Sequence, residues 1–360
     1  MTNTAVMFCL NQLCLFSVTL FCVLSFQKTT SQKAPKKYIA YKTLDSIKID
    51  GKASELSWQK AAYTDLFIDI EGVKKPVFDT RIKMVWDTQN LYFLADLKES
   101  DVWGTLKQRD TVIFYNNDFE IFIDPDGDTH NYYEIEINSL NTIWDLFLTK
   151  PYRNNGKVLN HWNANGLKSA IYVDGTLNNA TDKDTGWTLE VAIPWNAITE
   201  AAHNHDISEN DFWRINFSRV NWQFDLKNGT YERKKELQSN TYLPEYNWVW
   251  SPQGVINMHE PEHWGYVYFS NHTVGNPVMF EIPKDEHIKW YLYEIYRSYL
   301  KSGIPKPNLK IKKTEIMGAL IIPKLEVSKF GWVLSVKSPF TNTILTIKED
   351  GKFETHKSPK

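Results

Sequence analysis

Asp118-Phe119-Glu120-Ile121-Phe122-Ile123-Asp124, followed by Pro125-Asp126-Gly127-Asp128 and then Tyr133-Glu134-Ile135-Glu136-Ile137-Asn138, is the stretch whose reading decides the fold. Side chains alternate across a β-strand with a period of two. Phe119, Ile121 and Ile123 therefore share one face, against Asp118, Glu120 and Phe122. Tyr133, Ile135 and Ile137 likewise oppose Glu134, Glu136 and Asn138. Asp and Gly are what a tight turn requires, so the stretch predicts a hairpin with one face for a core and one wet face.

The same pattern recurs on both sides. Ile82, Met84 and Trp86 alternate with Arg81, Lys83 and Val85, a turn follows at Asp87 to Asn90, and Leu91 to Leu97 returns as a mostly apolar strand. Further strands are expected at Thr142 to Phe147, Lys168 to Val173, Trp187 to Ile193, Phe212 to Val220 and Trp264 to Phe269. A short strand is expected at Ile47 to Ile49, and a helical turn from Ser54 carries Trp58 and Ala61 inward. Many strands, few helices and no internal repeat predict an all-β chain folded as an antiparallel β-sandwich. Beyond residue 280 the pattern changes. Ile288, Leu292, Ile295 and Tyr299 recur at helical spacing before Gly303 and Pro305, and Ala319 to Val327, Trp332 to Val336 and Ile344 to Ile347 read as a small sheet. The domain reading is a sandwich over 38–275 and a small C-terminal α+β appendage over 280–355.

The first 31 residues read differently. An apolar run from Val6 to Phe26 precedes a polar stretch, the pattern of an export signal or of a retained membrane anchor. Cys9, Cys14 and Cys22 all lie inside it, so a cleaved chain would have no disulfide, thiolate metal site or cysteine nucleophile. The expected location is periplasmic, cell-surface or extracellular. A formal charge of -2 with scattered Lys and Arg argues against a nucleic-acid partner. The 14 Trp, 18 Tyr and 19 Phe favour strands and flat binding surfaces instead.

Several pieces in a fixed order carry a resemblance: Ile49-Asp50-Gly51 with Trp58, Val85-Trp86-Asp87 with Leu91-Tyr92, Asp118 to Asp124, Trp187 to Trp195, Asn216-Phe217-Ser218-Arg219 and Trp264-Gly265. Together they resemble the family 9 carbohydrate-binding modules, a sandwich fold shared with some haem-binding domains. The resemblance implies non-catalytic binding of an oligo- or polysaccharide in support of extracellular glycan breakdown. A sugar stacks its C–H faces on aromatic rings and gives its hydroxyls to carboxylate and amide groups. The implied ligand set is Phe114 or Tyr115 as one clamp and Trp248 or Trp250 as the other, with Glu120, Glu136, Asn138, Arg219 and Trp222. Phe-Tyr stands where the family usually has Trp, and Glu136 where a sugar-contacting Arg would lie.

Each candidate has a plainer reading. Trp86, Trp187, Trp213 and Trp264 lie on apolar strand faces and are core, whereas Trp103, Trp222, Trp248 and Trp250 lie near loops or strand ends. Asp124, Asp126 and Asp128 are the candidate calcium ligands, but without the glycine and glutamate spacing of a helix-loop-helix calcium site they read first as a turn. Glu120, Glu134 and Glu136 could serve a glycoside hydrolase only if one were desolvated, and a solvated strand face holds a carboxyl at its ordinary pKa. His130, His161, His203, His205, His259 and His263 have no metal-ligand spacing. A haem-binding electron carrier is a further alternative, with Met84, Met258 and His259 as its donors.

Overall fold

A computed structural model describes residues 34–204, 207, 211–303 and 311–358. The signal or anchor segment lies outside them, as does His205. In chain order the described residues form β1 (Lys37–Lys42), α1 (Leu56–Lys60), β2 (Ile68–Asp69), β3 (Thr80–Trp86), β4 (Asn90–Lys98), β5 (Asp118–Asp124), β6 (Tyr132–Asn138), β7 (Ile143–Leu148), β8 (Val158–Leu159), β9 (Lys168–Asp174) and β10 (Gly186–Pro194). There follow α2 (Trp195–Ile198), β11 (Phe212–Asn221), β12 (Phe224–Lys227), β13 (Thr230–Arg233), β14 (Tyr246–Val249), β15 (Gly265–Thr273) and α3 (Lys284–Ser302). The chain closes with β16 (Thr314–Ile316), β17 (Ala319–Ile321), β18 (Lys324–Ser328), β19 (Gly331–Lys337), β20 (Thr343–Lys348) and β21 (Phe353–Lys357).

The strand path β8-β7-β6-β5-β11-β15-β1-β3-β4-β10-β9 folds on itself, with β14 and β2 added beside β11. Its pairs are antiparallel except at β1, which runs parallel to β15 and meets β3 only at Tyr41 and Lys42. That strand joins the two layers of the sandwich. Between the layers Ile82, Met84, Phe93, Leu189 and Val191 meet Phe119, Ile121, Ile135, Ile215 and Phe217 in one buried cluster. Phe93 and Phe217 touch edge to face across the gap at 5.6 Å, a geometry aromatic quadrupoles favour.

The Ile49-Asp50-Gly51 and Trp58 motif has a physical basis here. The buried Glu190 of β10 accepts from the Asp50 and Gly51 amides and from the Trp58 indole at 2.8–3.0 Å. Gly51 has φ +80°, and a Cβ there would meet the Tyr172 nitrogen at 2.7 Å, so glycine is required. Ile47 to Ile49 is not a strand. The Lys48 amide donates to Glu55 instead, at 3.3 Å.

The C-terminal region forms as an α+β appendage. Ile288, Leu292, Tyr296 and Tyr299 of α3 pack on Trp332, Leu334, Leu345 and Ile347 of the four-stranded sheet β18 to β21. The single strand expected over Ala319 to Val327 is instead β17 and β18, broken at Pro323, which cannot donate to a ladder. The opposite side of α3 is tied to the sandwich. Trp290 donates to the Tyr266 hydroxyl at 2.9 Å, and Arg297 pairs in a fork with the buried Glu262 at 2.6 and 2.9 Å.

The outer face of β5 and β6 is not wet, contrary to the sequence expectation. Asp118, Glu120, Glu134, Glu136 and Asn138 are all buried. Their cover comes from the loop just before β5 and from the chain between β14 and β15, the latter more than a hundred residues downstream of the hairpin.

Candidate functional site

Strand register brings side chains from separate strands into two rows on that outer face. Ser218, Glu120, Glu136 and Trp144 are successive partners across β11, β5, β6 and β7, and Asn216, Phe122, Glu134 and Leu146 form the next row. Glu120, Glu136 and Trp144 of the first row and Phe122, Glu134 and Leu146 of the second floor a groove of about 310 Å³, at the small end of the range for ligand pockets. Phe114, Tyr152, Arg153, Glu245, Asn247 and the segment Ile256 to His259 wall it. The site is thus an apolar and aromatic cleft with carboxylates at its base.

The carboxylates are perturbed by their setting. Burial, with Glu245 nearby, pushes Glu120 up to about 7. Burial and mutual repulsion raise Asp118, Glu134 and Glu136 well above the ordinary range. Glu136 accepts the Phe114 amide at 2.8 Å, which fixes the wall to the floor. His259 bonds the Tyr132 hydroxyl through Nδ1 at 2.7 Å and is driven down to about 3 by burial, with Arg153 adding to the effect, so it is neutral at pH 7. The acidic base is therefore not balanced by that imidazole.

The expected ligand residues separate under this geometry. Phe114, Glu120 and Glu136 line the groove. Tyr115 does not line it. It is exposed beside the Arg233 guanidinium, 4.5 Å from its ring. Trp222 is buried and donates its indole N–H to the Phe114 carbonyl at 2.8 Å, supporting the wall from behind. Asn138 is a staple for the β6–β7 turn, donating to Leu106 O and accepting from the Leu140 and Thr142 amides.

Arg219, Trp248 and Trp250 face the interior, and this corrects the expected clamp. Arg219 is 1% exposed, bonded to Thr80 Oγ1 and Lys98 O and 3.4 Å from Glu99. Trp248 lies 5.0 Å from that guanidinium. Trp250 packs on Phe217, and a Cβ on Gly265 would run into its ring. On the short β14 the phase is the reverse of that expected, with Asn247 toward the groove and Trp248 toward the core.

Asp124, Asp126 and Asp128 do converge, with ligand oxygens within 4.8 Å of one another. Their oxygens also serve the turn. Asp124 accepts from the Gly127 and Thr129 amides, Asp126 from the Asp128 amide, and Lys352 pairs with Asp128 at 3.2 Å. Of the haem donors, Met84 is core, while Met258 and His259 line the acidic groove.

Trp144, Tyr152, Arg153, Glu134, Glu245 and Asn247 are groove residues that were not expected as ligands. Trp144 had a signal in the sequence. Once β6 and β7 are paired antiparallel, period-two alternation sets it beside Glu136. Glu134 lies on β6 in phase with Glu136, whereas Tyr152, Arg153, Glu245 and Asn247 come from loops or from β14, where no periodicity points the way.

A sandwich whose one outer face forms an aromatic and acidic groove has the build of a ligand-binding module. Residues 49–214 match the profile of the carbohydrate family 9 binding domain-like family. The chain is 30% identical over 118 residues to Exoglucanase XynX of Acetivibrio thermocellus, a stretch that is 32% of this chain and 9% of that protein. Endo-1,4-beta-xylanase A of Thermoanaerobacterium saccharolyticum is similar to the same degree, over 32% of this chain and 8% of the relative. The chain thus spans less than a tenth of the length of these curated relatives. Among solved structures, a family 9 module of Caldicellulosiruptor kristjanssonii in complex with cellotriose superposes with a TM-score of 0.42 at 13% identity, over 68% of this chain and all of that one.

Proposed function

We propose that the groove binds a carbohydrate without cleaving it, and that the chain is exported and supports the breakdown of extracellular glycans. The observation that carries this is the pair of cross-strand rows, which set Glu120, Glu134 and Glu136 beside Phe122 and Trp144 in one open cleft. Apolar C–H faces stack on the rings and hydroxyls donate to the carboxylates. The relatives sharing the 118-residue stretch are named as an exoglucanase and a xylanase, which directs the search to β-linked glucan and xylan fragments.

The test is titration of cello- and xylo-oligosaccharides while following tryptophan fluorescence. Binding is expected in the parent chain and lost in Trp144→Ala with the circular dichroism spectrum unchanged. Silence across such a glycan panel in a folded sample would remove the proposal. One observation favours a second reading, glycoside hydrolysis. Glu120, pushed up to about 7, has the proton affinity of a general acid near neutral pH. Release of reducing ends that disappears in Glu120→Gln would establish it, and intact oligosaccharide after long incubation would exclude it.

A further inference from the structure

Buried carboxylates elsewhere in the protein have compensating partners. Glu99 receives the Trp187, Asn117 and Asn221 side chains and lies beside Arg219. Glu262 has the Arg297 fork, Asp145 has Arg109, and Glu190 has an indole and two amides. Asp118 breaks this pattern. It is fully buried, and among the described residues neither of its carboxylate oxygens has a hydrogen-bond partner. The Val220 amide opposite it on β11 weakly favours the charged form without reaching hydrogen-bond geometry. Leaving a buried carboxylate unpaired costs several kcal/mol on the order-of-magnitude scale of desolvation penalties, so the group points to something that compensates it.

What lies in front of Asp118 is more carboxyl groups, which burial and mutual repulsion keep from ionising unless a cation joins them. Asp118, Glu120 and Glu136 each bring an oxygen within 4.8 Å of the others. Among the described residues no Lys or Arg forms an ion pair with any of the three. The nearby His259 cannot help, because its Nδ1 is held by Tyr132 and its ring is neutral. Donors within such a span fit around one ion whose metal–oxygen distances are ~2.3–2.6 Å, the range of calcium. The set is all oxygen, with no thiolate or free imidazole, which selects a hard cation over zinc or copper. Three carboxylates provide at most six oxygens, and one of Glu136 already holds the Phe114 amide. The remaining coordination positions face the groove, where water or a ligand hydroxyl completes them.

We propose that Asp118, Glu120 and Glu136 form a calcium site, with Glu120 and Glu136 on the groove floor and Asp118 buried beside them. It is separate from the Asp124-Asp126-Asp128 turn, whose oxygens already have amide and lysine partners. The site goes beyond carbohydrate binding: it shares Glu120 and Glu136 with the groove, but binding of the ion needs no sugar, since the ion compensates the fold's own buried carboxyl groups.

Calorimetric titration of calcium chloride into the chelator-stripped chain tests this. Saturable binding is expected, weakened at least tenfold in Asp118→Asn and in Glu136→Gln and retained in Asp126→Asn/Asp128→Asn. Melting in chelator guards against misfolding, because Asp118→Asn removes an unpartnered buried carboxyl group and is expected to melt no lower than the parent. No binding at millimolar calcium, or binding that survives Asp118→Asn but not the turn variant, overturns the assignment. Sugar binding with no calcium response would overturn the calcium site alone, whereas calcium binding without any sugar response would leave it standing and remove the carbohydrate reading.

Discussion

Replacing Glu120 by Gln keeps its size and removes its ionisation, and the groove geometry fixes what should follow. The carboxyl titrates near 4.5 when exposed and at about 7 in the fold, raised by burial and by Glu245. A raised carboxylate contributes its full stability below the unfolded value and loses it as pH rises through the folded one. Between roughly pH 4 and pH 8 the parent should therefore lose about 3 kcal/mol that the variant does not, at ~1.36 kcal/mol per pKa unit. Urea denaturation in chelator, followed by tryptophan fluorescence at both pH values, measures this. The variant and parent should agree near pH 4, and the variant should be the more stable near pH 8. Parallel pH curves, or a variant weakened at pH 8, would refute the claim that this carboxylate is buried against its own charge.

Two further substitutions separate scaffold from site. Trp250→Ala should cost about 3–5 kcal/mol of stability, the range for an excised core aromatic, whereas Trp144→Ala should leave the melting temperature within a few degrees and abolish ligand quenching. Arg297→Met should weaken the docking of α3 by about 3–5 kcal/mol, since it strands the buried Glu262. Burial alone would raise Glu262, yet Arg297 holds it below its ordinary value, so the parent's share of this stability should fade as pH drops below about 4.5. Melting curves of both proteins across that range check the sign.

The inner faces of the sandwich were legible because alternation needs only neighbouring residues. Phe119, Ile121 and Ile123 could hardly face anywhere else, and the helical spacing of Ile288, Leu292 and Tyr299 marked α3 in the same way. The outer face was not legible. Whether Glu120 and Glu136 are wet depends on what covers them, and much of that cover lies more than a hundred residues downstream, around Asn247 and Ile256 to His259. Trp248 and Trp250 were misassigned because β14 is only four residues long, too short for its phase to show. The hairpin of β12 and β13 carried a readable sign, Asn228-Gly229 with both residues at positive φ, the pair that favours a two-residue turn.

The most direct test of the central claim is a structure of the chain with a bound cello- or xylo-oligosaccharide. The sugar should lie along β5, β6 and β7 with its hydroxyls on Glu120, Glu134 or Glu136 and a ring face on Trp144. A sugar seated instead on the exposed Tyr115, Arg233 and Tyr242 surface, with the acidic groove unchanged, would contradict the account.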